Sequence, residues 1–262
     1  MKRLFSLLLT LALTFVLVGC GTKTTAKPAE KTTEKPTQAT TTEAQTKVYS
    51  YEEYIALKDG TQNVTIESYI QAKTSVWEKI NLYLVDNNGG AYYVYDLPID
   101  QTKYDEFAIG KKIRVTGTKT SWSGEVELID ATYEFLEGTY VAEAQDLTAK
   151  FSDVNELLKK QNVFAKFEGL TVTASKDAEG NDVAWLYKWN GSGEEGDDLY
   201  FNVTLGETTY SFLVESYLCD KDSDVYKAVK ALTVGAKVNI EGFLYWYNNP
   251  QMHVTKVTVI PA

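Results

Sequence analysis

Five tryptophans, a single histidine, two cysteines and one arginine beyond the N-terminal segment set the chemistry open to this 262-residue chain. Trp77, Trp122, Trp185, Trp189 and Trp246, joined by Tyr83 and Tyr93, are the candidate ligand-binding residues. Flat aromatic faces stack on sugar rings, nucleic-acid bases or proline, and exposed aromatic loops anchor interfaces. A second role is open to the same tryptophans, capping the ends of a β-fold or bracing hairpin turns, because indoles are usually well buried. Catalytic sets fare worse. His253 lies in the alternating run Met252-His253-Val254-Thr255, where a Ser-His-Asp or Cys-His arrangement has nothing to use and a zinc ion would lack partner ligands. Cys219 reads as a small core residue, with no histidine beside it to activate the thiol. Asp220-Lys221-Asp222-Ser223-Asp224 has the alternate acids of a calcium loop, but Val225 and Ala231 stand where the required Gly and Glu would be. The run is expected to cap the following helix. Glu194-Glu195-Gly196-Asp197-Asp198 reads as a solvated hairpin shoulder. No catalytic residue, metal or cofactor is expected.

The N-terminus carries a different chemistry. Lys2 and Arg3 precede an apolar run over residues 4–18, which ends in Leu17-Val18-Gly19-Cys20. This is the pattern of a secretory signal peptide, too short and wrongly flanked to span a bilayer. The tetrapeptide resembles the lipobox of bacterial lipoproteins. The resemblance implies that residues 1–19 are removed, that the Cys20 thiol takes a diacylglyceryl group, and that Cys20 becomes the mature N-terminus. It also implies an extracytoplasmic protein held to the bacterial cell membrane by lipid.

Residues 21–46 are mostly Thr, Lys, Pro, Glu and Ala with no aromatic or large aliphatic side chain, so they cannot form a core. With Cys20 they form a tether of about 30 Å root-mean-square span as a flexible coil. The chain's formal net charge is −10, and the folded part is more acidic still. Residues 1–46 hold six basic and three acidic groups, which leaves thirteen net negative charges on residues 47–262. Nucleic acid and anionic membrane surfaces are poor default partners for such a body. Lys73, Lys79, Lys111, Lys112 and Lys119 could still make a local basic patch.

Two related elements of about 100 residues follow, residues 47–148 and 149–262. In the first, a helix over 50–57 precedes strands at 64–70, 81–85 and 91–95, the last two joined by Asn87-Asn88-Gly89-Gly90. A helix-like piece at 102–107 leads to strands at 113–117 and 125–135. The second repeats the order, with helices at 153–160 and 222–232 and strands at 163–174, 199–205 and 209–214. Val234-Gly235-Ala236-Lys237-Val238-Asn239-Ile240-Glu241-Gly242 then matches Ile109-Gly110-Lys111-Lys112-Ile113-Arg114-Val115-Thr116-Gly117 position by position. Five strands with a helix between the third and fourth resemble the OB-fold, a small Greek-key barrel, so two consecutive mainly-β OB-fold-like domains are expected. The resemblance places ligands on strands two and three and on the one-to-two and four-to-five loops, where all five tryptophans fall. A staphylococcal-type OB-fold nuclease would need an arginine pair, and Arg114 stands alone.

The expected function is a non-enzymatic, lipid-anchored cell-surface module whose aromatic loops bind an envelope or extracellular glycan or protein. The alternatives are a surface lipoprotein that binds single-stranded nucleic acid, and a structural or accessory lipoprotein with no small ligand.

Overall fold

Alternating β-branched and aromatic residues build two sets of five barrel strands. The computed structural model describes residues 47–75 and 78–261. Cys20 with its lipobox, the tether and Trp77 lie outside the described residues. The first set is β1 (Thr61–Lys73), β2 (Lys79–Val85), β3 (Ala91–Pro98), β4 (Lys111–Trp122) and β5 (Glu125–Thr139). It closes in the order β1-β2-β3-β5-β4 and back to β1. The second is β6 (Phe164–Thr173), β7 (Leu199–Leu205), β8 (Thr208–Val214), β9 (Lys237–Phe243) and β10 (His253–Val259). It repeats the order as β6-β7-β8-β10-β9, closed by pairing of β6 with β9 and of β7 with β6. In each, the third and fifth strands meet in parallel, at Tyr93↔Glu127 and Leu213↔His253. Both are OB-fold-like barrels.

Closing so few strands requires sharp bending. β1 shifts register between Ile70 and Ala72, so its first part pairs with β4 and its end with β2. The paired glycines of the sequence repeat sit at equivalent bends. At Gly242 a Cβ would lie 2.3 Å from the His253 carbonyl oxygen, and at Gly117 it would lie 2.8 Å from that of Ile129. Their partners Gly110 and Gly235 enter the fourth strand at φ +85° and +90°, where other residues are strained.

Helix α1 (Tyr51–Ala56) starts in a capping box between Ser50 and Glu53 and buries Tyr54 against Tyr92. Helix α2 (Val154–Leu158) is capped by Asp153 and buries Leu157. Between β8 and β9, helix α3 (Asp224–Lys230) buries Val225, Tyr226 and Val229. The helix expected at this place in the first barrel is instead a 3-10 segment, Gln101–Glu106. It buries no residue of its own, so no apolar stripe draws it into an α-helix. In the acidic run, the Ser223 hydroxyl, not a carboxylate, caps α3 by accepting from the Tyr226 N–H.

Each barrel has its own core, the first around Ile66, Leu82 and Val115 and the second around Phe167, Phe201, Phe212 and Ile240. A third cluster joins them: Tyr83 stacks on Phe243 at 4.4 Å, and Tyr93 meets Tyr245 edge-on at 5.4 Å. Hydrogen bonds seal the seam. Gln161 Nε2 donates to the Gly124 carbonyl (2.6 Å), and the Asn248 N–H donates to that of Ser123 (2.7 Å). The Trp246 N–H reaches Glu125 Oε2 at 2.9 Å.

Candidate functional site

A cleft of about 590 Å³ opens where the barrels meet. The first barrel supplies Trp122. It ends β4 opposite Glu125, across a two-residue turn in which Ser123 and Gly124 both have positive φ. The second barrel supplies Tyr247 from a short hairpin that pairs Trp246 with Pro250 and Tyr247 with Asn249 about Asn248. Strand alternation fixes what each aromatic does. Trp246 points into the core of the second barrel and is 5 % exposed, whereas Tyr247 points out at 43 %. Trp122, 55 % exposed, lies 5.2 Å from Tyr247, ring to ring. Trp189 completes the mouth at 75 % exposure, on a loop held by a Lys188–Asp197 ion pair of 3.1 Å.

The expected site residues therefore separate. Trp122, Trp189 and Tyr93 line the cleft, with Tyr93 buried at its floor. Three others lie outside the cleft lining. Tyr83 is fully buried between the barrels. Trp246 packs inside the second barrel and against Gly124, where a Cβ would lie 2.8 Å from its ring. Trp185 donates from Nε1 to the Lys230 carbonyl at 3.1 Å, which braces the insertion on the end of α3. Trp77 lies outside the described residues. Tyr200, Tyr245, Tyr247, Asp198 and Glu215, also in the lining, were not among the expected residues. The sequence signal for Tyr247 was its phase opposite to Trp246; nothing local marks the others.

The polar chemistry of the cleft is acidic. Asp198 Oδ1 accepts from the Ser216 N–H and hydroxyl, both at 2.8 Å. Glu215 Oε1 accepts from the Tyr217 N–H at 3.3 Å, whereas its buried Oε2 has no hydrogen-bond partner among the described residues. Burial, then the neighbouring Asp198, pushes the Glu215 carboxyl up to about 7. Burial, then Asp198, likewise pushes the Tyr200 phenol up to about 12. No lysine or arginine lines the cleft. His253, nearly buried, also borders the cleft, and its Nδ1 lies 2.8 Å from the Tyr83 hydroxyl. Burial lowers the imidazole to about 3 and holds the phenol well above its usual range. A protonated phenol therefore meets an uncharged ring, and the imidazole tautomer sets which of the two donates.

Nucleophilic groups are not prepared nearby. Burial, then Glu215, pushes the Cys219 thiol up to about 11, away from the reactive thiolate. Among the described residues no group of three or more His, Cys, Asp or Glu comes together as a metal site. The lysines that could have formed a basic patch are engaged elsewhere. Lys119 pairs with Asp59, Lys112 with Glu67 and Lys79 with Asp96. Lys73 and Lys111 donate to the Tyr104 and Glu106 carbonyls.

No protein-family model matches the chain, and comparison with curated proteins also finds no match. Among solved structures it is similar to the p204 HINb domain, with 11 % identity and a TM-score of 0.34, over 78 % of this chain and 100 % of that one. A similar match is the Ifi202 HINa domain in complex with 20-bp dsDNA, with 12 % identity, a TM-score of 0.34, and 76 % and 96 % of the two chains covered. Fission yeast Pot1 with ssDNA matches at 9 % identity and a TM-score of 0.34, over 81 % and 88 %. Likeness this distant carries no ligand across to this chain.

Proposed function

We propose that the chain is a lipid-anchored, non-enzymatic binding module of the bacterial cell surface that takes a ring-bearing ligand, foremost an envelope glycan, into the cleft between its barrels. One observation carries the reading. Trp122 and Tyr247, from different barrels, hold exposed rings 5.2 Å apart at the mouth of a cleft whose floor is also aromatic. Exposed indoles at a concave site offer stacking surface for sugar rings. The anchor is the Cys20 thiol within Leu17-Val18-Gly19-Cys20.

Single-stranded nucleic acid is the second reading, because OB barrels take oligonucleotides as well as oligosaccharides on this surface, and bases stack on the same rings. Asp198 and Glu215 at the cleft, and lysines already paired, speak against a polyanion.

Titration of the full chain with cell-wall glycan fragments and with single-stranded DNA, followed by tryptophan fluorescence, separates the two. Glycan quenching that disappears in Trp122→Ala and Tyr247→Ala is expected. DNA quenching that weakens steeply with salt would replace the first reading with the second. For the anchor, Cys20→Ser should abolish lipid labelling and release the protein; retained labelling would refute lipidation at this residue.

A further inference from the structure

The proposed binding site has one property that stacking on a neutral sugar leaves unused. Its aromatic lining includes two acidic side chains, Asp198 and Glu215, and no lysine or arginine answers them there. Asp198 is fixed by Ser216, so its oxygen is held in place before any ligand arrives. Glu215 Oε2 is an acceptor buried without a partner among the described residues. Burial and the neighbouring Asp198 both disfavour the charged form of Glu215, and a cation bound beside the two acids offsets that cost. The faces of Trp and Tyr are themselves attractive to ammonium ions, most strongly where water is excluded.

We infer that the cleft recognises an ammonium group on its ligand, the amine of a glucosamine unit or a quaternary ammonium of the choline type. This rests on the cleft being the binding site, and it narrows the ligand to one that carries positive charge. Asp198 and Glu215 attract the cation, while Trp122, Tyr247 and Trp189 wall the mouth around it. The opposite charge pattern would suit a phosphate, and the lining offers it no lysine or arginine. The acidity of the folded part acts in the same direction at long range, steering a cationic ligand inward at low salt.

The test compares a glucosamine tetramer, its fully N-acetylated counterpart and choline chloride, each titrated into the full chain at low ionic strength. The two tetramers share rings and length and differ in the amine. The free-amine tetramer is expected to bind at least about tenfold more tightly, with a preference that shrinks as salt rises. Glu215→Gln and Asp198→Asn should each reduce the preference, and together bring it down sharply, while Trp122→Ala weakens both tetramers, the free-amine one the more. Displacement of the free-amine tetramer by choline would support a cage that reads the ammonium itself. Failure of choline, with the amine preference intact, would support recognition of the amino sugar. Equal binding of both tetramers overturns the inference and leaves the glycan reading in place. Binding of neither tetramer nor choline, by a chain with an unchanged circular-dichroism spectrum, would remove the cleft itself as the site.

Discussion

The two barrels share strand order and glycine placement, yet they spend the same face differently. In the first, the strand-two and strand-three tyrosines, Tyr83 and Tyr93, lie under the second barrel against Phe243 and Tyr245. In the second, Tyr200 of β7 and Leu213 of β8, which are partners in register, border the cleft. Loop lengths diverge in the same sense. The first barrel joins its first two strands with residues 74–78, whereas the second uses residues 174–198, where Trp189 and Asp198 lie. One barrel has turned its strand-two and strand-three face into an interface, and the other keeps that face partly open and extends it. The cleft is thus a product of the tandem, with Trp122 as the first barrel's exposed contribution.

The largest test of this division sets Trp246 against Trp122. Trp246→Ala empties a packed position in the second barrel and should cost about 3–5 kcal/mol in urea or thermal unfolding. Trp122→Ala removes an exposed ring and should leave stability within about 0.5 kcal/mol while it weakens ligand quenching. Equal stability losses would mean that Trp122 is also a structural brace. The glycine pair comes next. Gly242→Ala drives a methyl into the backbone at His253, and should cost upwards of about 3 kcal/mol. Gly117→Ala meets a looser neighbour at 2.8 Å and should cost about 1–2 kcal/mol, so the second barrel's bend is the less forgiving. A reversed order in denaturant midpoints would break that ranking.

The barrels were legible in sequence because closure imposes local rules. Period-two alternation marks the strands, and a glycine stands wherever a Cβ would strike the next strand, as at Gly117 and Gly242. The cleft was only partly legible. Trp122 and Trp189 fell in the right loops, but which of the adjacent Trp246 and Tyr247 faces outward depends on strand phase set by the turn at Asn248. Tyr83 misled for a different reason: it occupies the face an isolated OB barrel would offer, and only the second barrel's position covers it. Asp198 and Glu215 are brought to Trp122 by that same docking, which no local pattern records.

The seam between the barrels gives the last and finest comparison, because its acid comes from one barrel and its donors from the other. Glu125 starts β5 and is fully buried, receiving the Asn162 amide and the Trp246 N–H from the second barrel. Burial dominates and pushes its carboxyl up to about 8 against an ordinary 4.5; the two donors oppose the shift, and nearby Glu127 adds to it. A proton on Glu125 has a partner if the Asn162 amide turns end for end, since Asn162 Oδ1 is otherwise buried without one. An acid raised in the folded state binds more protons there than in the unfolded chain. Its contribution to stability is therefore complete below pH 4.5 and is lost as pH rises toward 8, at up to about 1.4 kcal/mol per pH unit. Glu127 and Glu215, each pushed up to about 7 chiefly by burial, add slope of the same sign, so the wild-type curve alone does not isolate the seam. Glu125→Gln does. It presents one acceptor to Trp246 and one donor to Asn162, matching the protonated acid at every pH. Urea unfolding between pH 5 and 8 should show the variant losing less stability than the wild type, by up to about 3–4 kcal/mol across the range. Parallel curves would place Glu125 ionised in the seam, with both oxygens held by the second barrel's donors.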